Sequence, residues 1–242
     1  MNKRKTFITF IVIIVTVLCV SVFYNRYYHT PSIDNANNTE TIVIEEPIVE
    51  NKPWEIYYKN DIDLDSAREK YDNNEIVAEL YVPDLFDVYI AKGTDNDYYL
   101  NHNLYKKKDI KGAEYMDYRV DVHSQQINLY GHNSSTFNIP FRKLEKFLDQ
   151  DFFKNHPYMV LSYDDGESVY EVLSIKEVST DYEHMKVKPT SMKEHIDHLV
   201  DNAIYTRNVV YDDSSRILVL QTCSYAHNDN YYVIVAVEID KK

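Results

Sequence analysis

The sequence predicts a mainly β fold: a closed eight-stranded barrel with an N-terminal helix and two inserted helices, preceded by one transmembrane helix. Three observations lead there. Period-two alternation of apolar residues recurs in short runs from Glu75 to Ile239, and eight such runs can close on themselves and remove exposed edges. Tyr is abundant at 23 residues and Gly scarce at 4, a balance suited to pleated, half-wet surfaces. Finally, "TFITFIVIIVTVLCVSVFY", residues 6–24, is uncharged and long enough to cross a hydrocarbon core as a helix.

Lys3, Arg4 and Lys5 precede that run and only Arg26 follows closely. The positive-inside bias therefore assigns residues 1–5 to the cytoplasm and everything after Arg26 to the outside, a single-pass membrane protein with its C-terminal domain extracellular. The run is long for a signal peptide and no small-x-small cleavage site follows it, which favours an uncleaved anchor. Bulky Val17 and Leu18 before Cys19 argue against a lipidated cysteine. Residues 25–53, rich in Asn, Thr, Glu and Pro, read as an extracellular spacer with little capacity to build a core. A folded domain is expected over 54–242.

Within that domain, "WEIYYKNDIDLDSAREKY" predicts one or two helical pieces from Trp54. In "EIVAELYVPD", Ile76, Ala78, Leu80 and Val82 alternate with Val77, Glu79 and Tyr81 before Pro83-Asp84 stops the strand. Further strands are predicted in "FDVYIAK", "YYLNHNLY", "QQINLYGH", "YMVLSY", "SVYEVLSIKEV", "RILVLQTC" and "YYVIVAVEI", with Asp165-Gly166 marking a hairpin. "FRKLEKFLDQDFF" predicts a helix with Phe141, Leu144, Leu148 and Phe152 on its apolar stripe. "SMKEHIDHLVDN" predicts another, opened by Ser191 and Glu194 in capping-box spacing and packed through Met192, Ile196, Leu199 and Val200.

The formal charge of -13 argues against a nucleic-acid partner, because a phosphate backbone requires a basic footprint. With Cys19 in the predicted span, Cys223 has no partner for an intrachain disulfide. Such a thiol is either buried and inert or reactive. Alternation on "RILVLQTC" sets Ile217, Val219, Gln221 and Cys223 on one side and Leu218, Leu220 and Thr222 on the other, so Cys223 is rigidly mounted at a strand end. Gly131 stands before His132 at the end of another predicted strand, where it allows a sharp turn and close approach to the imidazole. A thiol and an imidazole on two strand ends are what a cysteine nucleophile needs. On spacing alone, a merely structural Cys223 and His132 stay equally open. A metal-assisted hydrolase built on His102, His123, His132, His227 and Cys223 is a third reading, but the spacing lacks a zinc pattern.

The domain resembles the class B sortases, membrane-anchored cysteine transpeptidases of Gram-positive bacteria, from about Trp54 to Ile239. The likeness is carried by "DNDYYLNHNLYKKKDIKGAEYMDYR", "NLYGHN", "FRKLEKFLDQDFFKNHPYMVLSYDDGESVYEVLSI" and "RILVLQTCSY". Near the nucleophile the family reads Thr-Leu-x-Thr-Cys; Leu220, Thr222 and Cys223 match and Val219 replaces the first Thr. The resemblance implies a sortase barrel in which Cys223 attacks the Thr carbonyl of an Asn-Pro-x-Thr-like sorting signal on a secreted protein. His132 would be the general acid and base. A cell-wall or lipid-linked amine would accept the acyl group, with no metal or cofactor. Asn96, Leu100, Tyr130, Gln221 and Thr222 fall at positions that line the peptide groove in relatives. One departure stands out: Tyr231 occupies the position of the family's site arginine, which steadies the substrate carbonyl or oxyanion. Either Tyr231 acts there as a neutral donor, or Arg207 or Arg216 reaches in, or activity is weak. Losing a charged oxyanion donor costs on the order of 10²–10³ in rate. In that last case the chain is a degenerate fold that binds surface peptides.

Overall fold

The computed structural model describes residues 52–179, 182–224 and 230–242; the predicted membrane helix at 6–24, its flank 1–5 and nearly all of the spacer lie outside them. Among the described residues nine strands form one sheet: β1 (Ile76–Val82), β2 (Phe86–Ala91), β3 (Tyr115–Met116), β4 (Gln126–Tyr130), β5 (Tyr158–Tyr163), β6 (Gly166–Val178), β7 (Tyr205–Thr206), β8 (Ile217–Cys223) and β9 (Tyr231–Lys241). Their order is β5-β1-β2-β3-β4-β8-β9-β6-β7, and a further β5–β6 pairing closes eight of them into a ring. Two-residue β7 hangs on β6 at Ser174 and Ile175. The expected eight-stranded closure is present.

One of the eight is not where period-two reading puts it. Residues 98–105 form no strand: Tyr98–Leu100 is a 3₁₀ turn, and Tyr115–Met116 takes the third place in the ring. The aromatic residues suit a strand, but Asp95 Oδ1 accepts from the N–H groups of Asp97 and Tyr98, at 2.9 and 2.8 Å. Asn103 Oδ1 likewise accepts from Tyr105 and Lys107. These side-chain bonds satisfy the backbone locally and curl it away from a ladder.

The alternation on β1 holds: Ile76, Ala78, Leu80 and Val82 are buried while the residues between them are half-exposed. Leu80 and Val82 join Ile90, Met116, Ile127, Leu129, Leu161, Leu218, Leu220 and Ile234 in the barrel interior. Helix α1 (Leu64–Tyr71) is N-capped by the Asp63 side chain and buries Leu64 and Ala67 against Ile76. The hairpin between β5 and β6 turns at Asp164-Asp165, with Tyr163 opposite Gly166.

The segment predicted as one helix with Phe141, Leu144, Leu148 and Phe152 inward is instead a 3₁₀ helix, Phe141–Leu148, followed by α2 (Gln150–Asn155). Asp149 breaks it, its carboxylate capping Phe152 N–H at 2.8 Å. Three residues per turn align i and i+3, so Phe141, Leu144 and Phe147 form the buried row and Leu148 and Phe152 sit at its edge. Helix α3 (Met192–Val200) keeps its predicted cap, Ser191 Oγ accepting from Glu194 N–H at 3.1 Å. It packs Met192, Ile196 and Leu199 onto the outer face of β8 and β9, against Ile217, Val219, Val233 and Val235.

Glu114, just before β3, is partly buried. Burial pushes its carboxyl up to about 7, although the N–H groups of Glu114 and Phe141 favour its ionised form. A raised carboxyl contributes fully below its unfolded value of 4.5 and loses that contribution as pH climbs through about 7. Thermal melts of Glu114→Gln should therefore show a gain in Tm at pH 8 that shrinks toward pH 5. Equal gains at both values would contradict this account.

Candidate active site

Strands β4 and β8 run parallel, with Gln126 opposite Ile217 and Tyr130 opposite Gln221. Leu129 and Leu220 point into the barrel, so Gln126, Asn128 and Tyr130, with Ile217, Val219 and Gln221, share the outer face. Two residues beyond Tyr130 comes His132; two beyond Gln221 comes Cys223. Past the last ladder pair, Gly131 N–H donates to Gln221 O at 3.3 Å and Thr222 Oγ1 donates to Gly131 O at 3.0 Å. Adjacent strands lie roughly 5 Å apart, so the ladder delivers the imidazole and the thiol to one face at one level. On the other side of β8, antiparallel β9 sets Tyr231 directly opposite Cys223. The ends of β4, β8 and β9 thus bring the backbones of His132, Cys223 and Tyr231 to one end of the sheet.

Cys223 is exposed at the strand end. Surrounding protein nonetheless pushes its thiol up, against a smaller downward pull from the Asn133 main-chain N–H. The resting group is therefore a thiol at neutral pH, and it needs a base to be activated. His132 Nε2 lies 2.7 Å from Leu100 O. A carbonyl only accepts, so Nε2 carries the proton and Nδ1 is the nitrogen left to exchange one.

The glycines divide the work differently from the expectation. A Cβ on Gly131 would fall 2.6 Å from Phe141 Cγ, so the group approaching Gly131 is that ring and not a partner for the imidazole. Gly112, at φ +62°, is the glycine beneath His132: a Cβ there would sit 2.5 Å from Tyr99 O and 3.1 Å from His132 Cδ2.

Of the proposed groove residues, Leu100 packs with Tyr130, whose hydroxyl donates to Asp117 Oδ2 at 2.9 Å; Asn96 Nδ2 donates to the same oxygen at 3.1 Å. Gln221 Oε1 faces His184 Nε2 at 2.7 Å. Thr222 is turned away from that face, buried, with its hydroxyl on Gly131 O.

Neither proposed arginine reaches the site. Arg207 bonds Val172 O and Phe153 O and lies over the Phe153 ring at 5.0 Å. Arg216 opens β8 at the end away from Cys223 and is held by Glu238 and Val122 O. Tyr231, half-buried with its ring centroid 6.4 Å from that of Tyr182, is what β9 presents beside the thiol.

A polar layer absent from the sequence-based expectations underlies the face. Gln126 Nε2 and Asn128 Nδ2 both donate to His184 O, at 2.8 and 2.7 Å. Gln126 Oε1 then faces His195 Nε2 at 2.8 Å. Arg119 forks onto Asp117 at 2.9 and 2.6 Å and reaches Met185 O at 3.0 Å. These bonds fasten the 3₁₀ turn Glu183–Met185 onto β4. The alternation Gln126, Asn128, Tyr130, His132 was the available signal: four polar residues on one side of a strand whose other side is apolar. Among the described residues no cluster of His, Cys, Asp and Glu has the geometry to hold a metal ion.

Burial would raise the Asp117 carboxyl, but Arg119, Tyr130 and Asn96 hold it down at about 2. A depressed carboxylate contributes above its unfolded value and is lost as pH falls, here between about 4 and 2, with a contribution of about 2 kcal/mol. Asp117→Asn should flatten the acid limb of the stability profile over that window; an unchanged limb in acid titration would count against the ion pair. For the thiol, iodoacetamide alkylation of Cys223 should rise with pH to a midpoint above the ordinary cysteine range. A rate already flat from pH 6 would mean a preformed thiolate.

The fold and site define a closed barrel that presents an exposed thiol and an imidazole on adjoining parallel strand ends. A family model described as "Sortase domain" matches residues 80–239, well over half of the chain. Sortase B of Listeria monocytogenes is 33% identical over 159 residues, covering 62% of this chain and 63% of the relative, so the chain spans slightly less than two thirds of that protein's length. A mutant form of Clostridium perfringens sortase B superposes with TM-score 0.68 at 26% identity, over 74% of this chain and 88% of the other. The Staphylococcus aureus sortase B–substrate complex superposes with TM-score 0.65 at 24% identity, over 72% and 84%, a likeness of fold. The chain belongs to the sortase family.

Proposed function

We propose that this chain is a membrane-anchored cysteine transpeptidase of the sortase B kind. Its substrates are secreted proteins bearing a C-terminal Asn-Pro-x-Thr-like sorting signal. The observation that supports the reading is the register of β4 on β8, since His132 and Cys223 are the next positions of the same face, two residues beyond the paired Tyr130 and Gln221. Family membership supports it, and a relative of the same fold is known as a complex with its substrate.

In this mechanism an extended peptide lies along the face between Leu100 and the Glu183–Met185 turn. His132 Nδ1 takes the Cys223 proton as sulfur attacks the Thr carbonyl. The C–N bond then breaks, the imidazolium returns the proton to the departing amine, and a thioester remains on Cys223. An incoming amine of peptidoglycan or its lipid-linked precursor attacks that thioester, gives its proton to His132 and releases the thiol. Tyr231, opposite Cys223, offers its hydroxyl to the developing oxyanion; a phenol is a single neutral donor where a guanidinium offers a charged fork. Residues 6–24 hold the domain at the outer membrane surface.

Tyr231, standing opposite Cys223 where the resemblance expects an arginine, favours one second reading, a sortase fold that binds surface peptides without turning them over. Mass spectrometry of the full chain incubated with sorting peptides separates the two. Transpeptidation gives an acyl adduct on Cys223, no cleavage by Cys223→Ala, and at least a hundredfold loss in His132→Ala. Tyr231→Arg should raise kcat and Tyr231→Phe should lower it by about tenfold. Peptide affinity with no adduct, unaltered by Tyr231→Arg, would leave the binding module standing.

A further inference from the structure

Asn133, the residue after His132, is buried, and each polar group of its side chain is engaged. Its Nδ2 donates to Cys223 O at 2.7 Å and to Glu145 Oε1 at 2.6 Å. Its Oδ1 accepts from Ser134 N–H at 2.8 Å. An asparagine amide has two N–H donors, so the pair of acceptors fixes which way it faces. Glu145 stands on the 3₁₀ helix Phe141–Leu148, whose first residue packs against Gly131. The base's strand end, the nucleophile's peptide and this helix are thus joined at one side chain.

We propose that Asn133 is a positioning residue for the nucleophile: held by Glu145, its amide grips the Cys223 carbonyl and so sets the sulfur against both His132 and the Asn133 main-chain N–H. The inference rests on Cys223 being the nucleophile. Beyond Tyr130 and Gln221 the ladder has ended, and the strand ends are free to splay unless something replaces the missing backbone bonds. The Thr222 hydroxyl does so on the interior side and the Asn133 amide on the next residue along. A main-chain N–H directed at sulfur favours the thiolate against burial, and only while the sulfur stays in place. The carboxylate of Glu145 makes the Asn133 bond charge-assisted, and therefore short and directional.

The test uses the full-length chain and two readouts: the pH profile of Cys223 alkylation by iodoacetamide, and kcat and KM for a sorting peptide. Asn133→Ala is expected to slow alkylation at pH 7.5 about tenfold, to move its midpoint upward, and to lower kcat at least tenfold with KM within about threefold. Glu145→Ala should move both readouts the same way by a smaller factor, at unchanged Tm. Glu145→Gln, which keeps an acceptor oxygen, should recover to within about threefold of the parent. If Asn133→Ala does not fold, Glu145→Ala decides. Parental alkylation profiles and kcat in the folded variants, or a loss confined to KM, would overturn the proposal. Alkylation needs no substrate, so a chain that cleaves no peptide would sink the transpeptidase reading and still leave Asn133 decided.

Discussion

The parallel pairing of β4 with β8 is the constraint on which the rest of this molecule depends. Antiparallel neighbours can be joined by a tight turn, whereas parallel ones must be brought together from separate parts of the chain. Here 86 residues lie between Tyr130 and Ile217, so the two strand ends are brought together across a long excursion of the chain. A slip of one residue in that register would turn either the imidazole or the thiol into the barrel interior. The apolar rows Ile127–Leu129 and Leu218–Leu220 forbid it, because the slip would expose one row and bury Gln126, Asn128 and Tyr130 among hydrocarbon. The core thus enforces the chemistry above it.

What stood legible in the sequence was whatever has a period. β1, β4, β5, β6, β8 and β9 announce themselves by alternation, and Ser191 with Glu194 marks the start of α3. Tyr115–Met116 is too short to have a period, and its place in the ring is set by pairing with Tyr130 and Leu129. The stretch 98–105 misled because Tyr and Leu favour strands, while Asp95 and Asn103 decide the local path through side-chain bonds that composition does not reveal. Within the site, Cys223 and His132 could be singled out as strand-end residues, with spacing leaving a structural and a chemical reading equally open until the family resemblance was added. Asp117, Arg119, Asn133 and Glu145 were not, because their roles exist only once distant strands and helices have met.

The arginine question is settled on one side. Arg207 and Arg216 serve the scaffold, one under β6 and α2 and the other at the far end of β8. Arg119 is spent on Asp117 and so neutralises a buried carboxylate bonded to the Tyr130 hydroxyl. Among the described residues, β9 sets a phenol opposite Cys223, a single neutral donor at the position where the resemblance leads one to expect a guanidinium.

The seat of the Glu183–Met185 turn has a consequence for descent. Gln126, Asn128 and Arg119 all grip peptide oxygens, those of His184 and Met185, and every amino acid brings such an oxygen. Mutation can therefore rewrite the solvent-facing side of this turn, Tyr182 included, without unseating it. A lineage that keeps three floor residues can explore new peptide preferences on an unmoved mount.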